Sequence, residues 1–325
     1  EMLRSLVGSE MCIRDSNIKS IYSNFALLTT AFIWGVSFVA QKSGMAFVGP
    51  FTFNAARTFL GGLSLLPVIG VLKMISMKHD TRTSQEKAAQ HKILAKGGML
   101  CGFLLFSALT INQYCMVYAP AGKAGFITSL YVIFVPLIAV FMKKKLRFNV
   151  KISIILAVIG LYLLCFKNTG HVEISDALLL VSSFLFGLHI IVVNYYSHKV
   201  SSAKLSCVQF FTACLLSVPL MFIFEHPQLS ALRAGIEPIL FSGILATGVA
   251  YTLQIFGQKG TSPVIASLIL SLESVFAVLG GMVMLGESMI FREAIGCVFM
   301  ISAILLSQLR FPPAISYPGK TDRKN

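Results

Sequence analysis

Residues 112–136 read NQYCMVYAPAGKAGFITSLYVIFVP, which is an apolar run, a break at Ala-Pro-Ala-Gly-Lys and a second apolar run. This pattern predicts two hydrophobic helices joined by a tight turn, because proline and glycine end one helix before the next begins. Residues 254–276 repeat the pattern as QIFGQKGTSPVIASLILSLESVF. Gln113 and Gln254 are 141 positions apart, and so are Gly102 and Gly243. The same hairpin is therefore used twice.

The composition places the chain in a membrane. Its 325 residues are 56% hydrophobic and only 12% charged, with a mean hydropathy of +0.79, whereas soluble domains are about 25% charged. A helix needs about 20 apolar residues to cross a hydrocarbon core of about 30 Å. Because the apolar runs are continuous, they favour helices over barrel strands. Ten segments fit: 24–41, 51–72, 97–118, 122–142, 150–166, 174–196, 203–224, 236–257, 263–285 and 290–310.

Further matches indicate an all-α membrane protein whose ten transmembrane helices form two inverted five-helix repeats. An offset of 152 relates Arg57 to Gln209 and Pro67 to Pro219, and it falls to 141 after the long basic loop at 73–96. Because five is odd, the second copy enters the bilayer from the opposite face, as in many transporters with a midplane substrate site.

These matches also set the expected domain limits. We expect repeats at 17–167 and 172–311, a non-native or disordered segment at 1–16, and a cytoplasmic tail at 312–325.

The distribution of charge predicts the orientation. Of the 27 Lys and Arg residues, 21 fall in segments on the N-terminal side of the membrane, five fall on the other side, and Arg57 lies within a helix. The positive-inside rule then places both termini in the cytoplasm of a multi-pass inner-membrane protein. The net charge of +14 is explained by this asymmetry and by anionic headgroups, so we expect no nucleic-acid partner.

Several motifs resemble the drug/metabolite transporter superfamily, in its EamA-domain family. They are FIWG at 32–35, Arg57 after a Gly-Pro pair, GKAGFITSLY at 122–131, LSLE at 270–273 and LGE at 285–287. The resemblance covers residues 24–310 and implies a central cavity between the two halves. It also implies transport of a small metabolite, often the export of an amino acid. The expected partners are a small-molecule substrate and the lipid bilayer, with a homodimer left open.

Glu273 is the strongest functional candidate. It is the only acidic residue deep in an apolar run, while the other Asp and Glu residues lie in loops, in tails or at helix ends. Carboxyl groups at this depth usually face a cavity and mark ion or proton routes, which suggests proton coupling. The alternative is a protonated side chain that holds two helices together through a hydrogen bond.

Other polar and aromatic side chains are cavity candidates. Arg57 either snorkels to the headgroups or attracts carboxylate substrates at the cavity mouth. Amides in hydrocarbon need a partner, which is a substrate or a neighbouring helix. The remaining candidates, for which helix packing is the alternative, are Trp34, Asn112, Gln113, Tyr131, His189, Tyr251 and Gln254.

Four functional classes compete. We predict a secondary transporter, most plausibly an exporter of an amino-acid-like or drug-like compound. An uncoupled facilitator or channel is the first alternative, and a non-transporting receptor or scaffold is the second. An enzyme is disfavoured because the sequence has no H-E-x-x-H, G-x-S-x-G or Walker A motif. No cofactor or metal is expected, since no C-x-x-C spacing occurs among the cysteines.

The predicted orientation can be tested by cysteine labelling in sealed cells. A cysteine replacing Lys144 should react with a membrane-impermeant thiol reagent only from the cytoplasmic side, because basic loops stay inside. A cysteine replacing Arg233 should react only from outside. Labelling both after detergent solubilisation controls for reactivity, and external labelling at position 144 would contradict the orientation.

Overall fold

We describe the fold from a computed structural model, which describes residues 2–77, 83–118, 121–165, 173–285 and 289–309. All regular secondary structure within these ranges is helical, which confirms the all-α fold class. In the described part of the chain, nine segments are long and apolar enough to cross a membrane, and residues 148–164 form a shorter apolar helix. The predicted tail at 312–325 lies outside the described residues.

The first half contains five membrane segments, the fourth of which is split into two helices. In chain order the helices are α1 (Met2–Gly44), α2 (Pro50–Met77), α3 (Ser84–Tyr118), α4 (Ala121–Ser129), α5 (Tyr131–Phe141) and α6 (Phe148–Cys165).

The second half repeats this order, with the ninth membrane segment split like the fourth. Its helices are α7 (Ile174–Ser197), α8 (Ser202–Phe224), the short α9 (Leu229–Ala234), α10 (Ile236–Leu240), a π-helix (Phe241–Ala250), α11 (Tyr251–Gly257), α12 (Pro263–Leu270), α13 (Glu273–Leu285) and α14 (Phe291–Gln308).

Two helices begin earlier than hydropathy predicts. Helix α3 begins at Ser84 rather than near 97, because Thr83 and Glu86 form a reciprocal cap: the Thr83 amide donates to Glu86 Oε2 at 2.8 Å, and the Glu86 amide donates to Thr83 Oγ1 at 3.3 Å. Hydropathy detects only the part of a helix that lies in lipid. Helix α1 runs without a break from Met2 to Gly44, so it includes residues 2–16 of the predicted N-terminal segment. The prediction that this segment is non-native remains untested.

The fourth and ninth segments each form one membrane span, as the sequence predicts, but each contains a short turn that the apolar pattern does not indicate. Segment four is interrupted at Leu130, and segment nine at Ser271 and Leu272. Near the second break, the hydroxyls of Ser267 and Ser271 donate to carbonyls three residues earlier, at 2.8 Å in both cases. Serine bonds of this kind compete with the helical pattern of backbone bonds.

The two halves pack against each other with matching helix pairs. Helix α2 packs on α8, and α6 packs on α14. Helix α1 of the first half packs on the π-helix and α13 of the second. In the same way, α7 of the second half packs on α3 and α5 of the first. The interface between the halves therefore forms most of the protein core.

Glycines at equivalent positions allow these close approaches. A Cβ atom on Gly102 would lie 2.6 Å from Thr212 Cβ, and one on Gly243 would lie 2.7 Å from Leu60 Cβ. Leu60 and Thr212 are themselves 152 positions apart, which is the offset that relates the first two helices of each half. The same steric constraint is therefore met twice.

Matched glycine substitutions test this packing. Gly102→Ala and Gly243→Ala should each lower the free energy of unfolding by about 1–3 kcal/mol, the usual cost of overpacking. Thermal unfolding of the purified protein in detergent measures the effect. Gly70→Ala is the control, because a Cβ there meets no atom within 4 Å and alanine favours a helix. Equal stability of all three variants would contradict the proposed close contacts.

Candidate functional site

A central cavity lies between the two halves. Its accessible volume is about 60 Å³, enough for roughly four to six water molecules. Six of the nine predicted site residues line it: Trp34, Arg57, Asn112, Tyr131, Tyr251 and Glu273. Their functional roles stay predictions, but the fold brings them together from six different helices.

Glu273 joins the two broken segments. It is 5% exposed and is the first residue of α13, directly after the break in segment nine. Its Oε1 accepts hydrogen bonds from the Tyr131 hydroxyl at 2.9 Å and the Ser129 hydroxyl at 3.2 Å, on either side of the break in segment four. Among the described residues, no hydrogen bond reaches Oε2. The carboxyl group is therefore held by one oxygen, and the other is open to a proton or a ligand.

Arg57 is buried in the cavity wall and does not snorkel to the headgroups, so that alternative is wrong. Its side chain is 5% exposed, and Nη1 donates to Gln41 Oε1 at 3.0 Å. Gln41 in turn donates to the Ser37 hydroxyl at 3.1 Å. Within the described part of the chain, Arg57 Nε has no hydrogen-bond partner. The guanidinium also lies over the Phe53 ring, 5.8 Å from its centroid, and it retains donors for an anionic group.

The end of another helix caps the helix that carries Arg57. Glu225, which follows α8, accepts hydrogen bonds from the amides of Phe51 at 2.9 Å and Thr52 at 2.8 Å. These amides are at the start of α2, where a carboxylate is stabilised by the helix dipole. The cap therefore attaches the second half to the helix that carries Arg57.

Aromatic rings form one wall of the cavity. The ring centroids of Trp34 and Tyr251 are 4.5 Å apart, and Phe186 also lines the space. Trp34 Nε1 donates to the Ala246 carbonyl at 2.9 Å, inside the π-helix. Hydrogen bonds from a neighbouring helix help satisfy the carbonyls of this irregular backbone, and π-helical turns are frequent at functional sites. The wall is largely apolar and is anchored to α1 through Trp34.

The opposite side of the helix breaks is filled with apolar side chains. Helix α12 packs against α5 and α7 there, with Val132, Val135, Leu268 and Ile269 fully or almost fully buried. The cavity instead extends toward Gln41 near the end of α1. It therefore lies on the side of the breaks that carries the α1–α2 loop.

Three predicted residues do not line this cavity. Gln113 and Gln254 are fully or almost fully buried, and Gln113 has no hydrogen-bond partner among the described residues. His189 is also buried, with its Nε2 3.1 Å from Gln209 Oε1.

Sequence reasoning missed several polar residues of the site. Ser37, Gln41 and Thr247 line the cavity, and Thr128 there accepts a hydrogen bond from Asn112 Nδ2 at 2.6 Å. Hydroxyl groups are common in membrane helices, so type alone does not distinguish them. Ser37 and Gln41 were detectable in principle, because they lie one helical turn apart on the helix that carries Trp34.

The described residues contain no cluster of three or more His, Cys, Asp or Glu side chains able to hold a metal ion. The site's chemistry is therefore that of one cation, one carboxyl group, several neutral hydrogen-bonding groups and an aromatic wall. Such a set can bind and orient a small amphipathic molecule.

Together, two repeats of five helical segments and a central polar cavity define a multi-pass membrane transporter. Residues 21–166 and 173–309 both match the profile of the EamA-like transporter family. The chain belongs to this family, which confirms the resemblance inferred from its motifs.

Known relatives agree with this assignment. An uncharacterized transporter of Archaeoglobus fulgidus is 29% identical over 294 residues, covering 90% of this chain and 88% of its own length. The uncharacterized transporter YoaV of Bacillus subtilis is 20% identical over 291 residues, covering 88% and 96%. A solved crystal structure with 16% identity matches with a TM-score of 0.70, over 88% of this chain and 96% of that one. It establishes similarity of fold alone.

Proposed function

We propose that this transporter exports a small organic compound bearing a carboxylate across the cell membrane, in exchange for protons and by alternating access. The observation that carries the proposal is a buried Arg57 and a buried Glu273 in the wall of one cavity, contributed by different halves. The transport itself involves no chemical conversion of the substrate.

Arg57 supports recognition of a carboxylate. A guanidinium presents several donors in a planar fork that matches the two oxygens of a carboxylate. The protein supplies one neutral acceptor to this group, from Gln41, and leaves Nε without a described partner. A substrate carboxylate would complete the hydrogen bonding and offset the buried positive charge.

The aromatic wall supports an apolar substrate body. Trp34, Phe186 and Tyr251 present ring surfaces to the same cavity as Arg57. A compound with a carboxylate at one end and an apolar group at the other matches both features. An amino acid with a large side chain is one member of this class, and its ammonium group suits the Glu273 carboxylate.

Glu273 supports coupling to protons. Its carboxyl group can bind a proton or pair with the substrate's ammonium group, but not both. A change of cavity orientation changes which side supplies that proton, so proton binding and orientation are thermodynamically linked. The basic loops predict cytoplasmic termini, and with that orientation the cavity described above faces the outside of the cell. A proton that enters from outside and binds Glu273 then favours release of the substrate.

Matched probes test the role of Arg57. L-phenylalanine, 3-phenylpropionate and phenethylamine share one apolar body, but phenethylamine lacks the carboxylate. Trp34 is the only tryptophan and lines the cavity, so its fluorescence reports binding. We expect the two carboxylates to bind and Arg57→Gln to weaken them by about 30-fold or more, since losing one member of a buried charge pair costs about 2–5 kcal/mol.

The control for this titration is Arg233→Gln, which removes an exposed arginine from the short helix α9 and should leave binding unchanged. Binding of phenethylamine alone, or carboxylate binding that is equally tight in Arg57→Gln, would contradict the proposed role.

Glu273→Gln tests the coupling. Glutamine keeps the shape and can accept the bonds from Ser129 and Tyr131, but it does not titrate. In proteoliposomes, the variant should fold, lose proton-driven accumulation and retain substrate exchange. The unmodified rate of proton-driven transport would rule out the coupling role and favour the uncoupled facilitator.

Glu237→Gln is the matched control for the coupling test. It removes an exposed carboxylate at the start of α10, outside the cavity. Accumulation driven by a proton gradient should be unchanged in this variant. A loss equal to that in Glu273→Gln would mean that the effect is not specific to the cavity.

A further inference from the structure

A second buried polar pair lies outside the cavity. His189 of α7 and Gln209 of α8 are 1% and 0% exposed, and the imidazole Nε2 lies 3.1 Å from Gln209 Oε1. Gln209 Nε2 has no hydrogen-bond partner among the described residues. Because buried polar groups are nearly always paired, a free amide donor at this depth calls for an explanation.

Internal symmetry relates this pair to the cavity. An offset of 152 takes Ser37 to His189 and Arg57 to Gln209. The packing agrees with this correspondence: the Gln209 carbonyl lies against Gly102, and the Arg57 carbonyl lies against the equivalent Gly243. The His189–Gln209 pair therefore occupies, in the second half, the place that Ser37 and Arg57 occupy in the first.

The pair and Arg57 lie at different depths. Arg57 comes seven residues after the start of α2, and Gln209 comes seven residues after the start of α8, which is about 10 Å along each helix. These helices enter from opposite faces because the repeats are inverted. In a hydrocarbon core of about 30 Å, Arg57 and Gln209 then lie on opposite sides of the midplane.

Tyr251 lies between the cavity and the pair. Its ring lines the cavity and contacts Trp34, with 4.5 Å between ring centroids. It also meets the His189 ring edge to face, at 6.1 Å and an interplanar angle of 84°. The Tyr251 ring is thus the side chain in contact with both the cavity wall and the buried pair.

We propose that His189 and Gln209 form a second substrate subsite, used when the cavity opens to the face opposite that of Arg57. It would take the same carboxylate end of the substrate through the free N–H groups of the Gln209 amide, while the imidazole N–H of His189 holds the amide oxygen in place. Movement of the Tyr251 ring connects the two subsites. This inference rests on the proposed transport function. It assigns the path of the substrate as running from the His189–Gln209 subsite past Tyr251 to the Arg57 subsite.

Cysteine accessibility tests the path without any substrate. Single cysteines replace Gln209 or Arg57 in a cysteine-free background, and a membrane-impermeant methanethiosulfonate is added to one face of oriented proteoliposomes under each direction of pH gradient. Position 209 should react only from the face opposite to that which labels position 57. Labelling of both from one face, or of position 57 alone, would overturn the proposal.

Sided transport kinetics separate a binding role from a structural one. Gln209→Leu should raise the half-saturating concentration of 3-phenylpropionate at least tenfold from the Gln209 face and leave it unchanged from the Arg57 face. Gln209→Asn, which keeps the amide, should restore part of the affinity. Equal losses from both faces in Gln209→Leu would indicate packing alone and overturn the subsite.

The two proposals fail in different ways. If Arg57→Gln weakens carboxylate binding while Gln209→Leu and His189→Ala affect neither face, the second subsite is wrong and the proposed function stands. If the unmodified protein transports none of the three phenyl probes, the proposed substrate class is wrong, and the labelling result still decides whether position 209 lies on a path.

Discussion

The arrangement of the protein depends on a hydrogen-bonded contact between two interrupted helices. Glu273 at the second break accepts bonds from Ser129 and Tyr131 at the first. A carboxyl group near the bilayer centre is expensive unless it is bonded or faces a polar cavity, and here it does both. At each break the backbone stays hydrogen-bonded through short turns, and the side chains beside the two breaks meet at the centre of the protein. The cavity forms where the two breaks meet.

The two halves are intertwined around this contact. Helix α1 packs among the helices of the second repeat and α7 among those of the first. Close approach then requires small residues where the helices cross, as at Gly160 and Gly296, where an added Cβ on either residue would lie within 3 Å of the other's carbonyl oxygen. In lipid, such packing provides much of the association between helices, because the hydrocarbon supplies no hydrophobic driving force. The central cavity lies within this packing, between helices of the two halves.

The two charged groups of the site lie at positions where the repeats differ. Arg57 has a neutral glutamine as its equivalent, Ser37 has a histidine, and Glu273 has a valine at position 132. A perfectly symmetric protein would present the same groups to both faces of the membrane. The packing glycines Gly102 and Gly243 keep the repeat, whereas these three polar positions differ between the halves. The two repeats therefore combine similar packing with different polar groups.

The amino-acid sequence by itself determined the membrane class, the ten segments, the inverted repeat and the family, because each follows from patterns of apolar residues and offsets along the chain. It also singled out Glu273 and Arg57, since charge within an apolar run is conspicuous. Only the tertiary structure decided that segments four and nine are broken, that Arg57 is buried against Gln41, and that His189 pairs with Gln209 behind Tyr251. These facts depend on contacts between residues distant in the chain, and hydropathy does not encode which face of a helix meets which neighbour. A buried polar group reveals its partner only when the helices around it are in place.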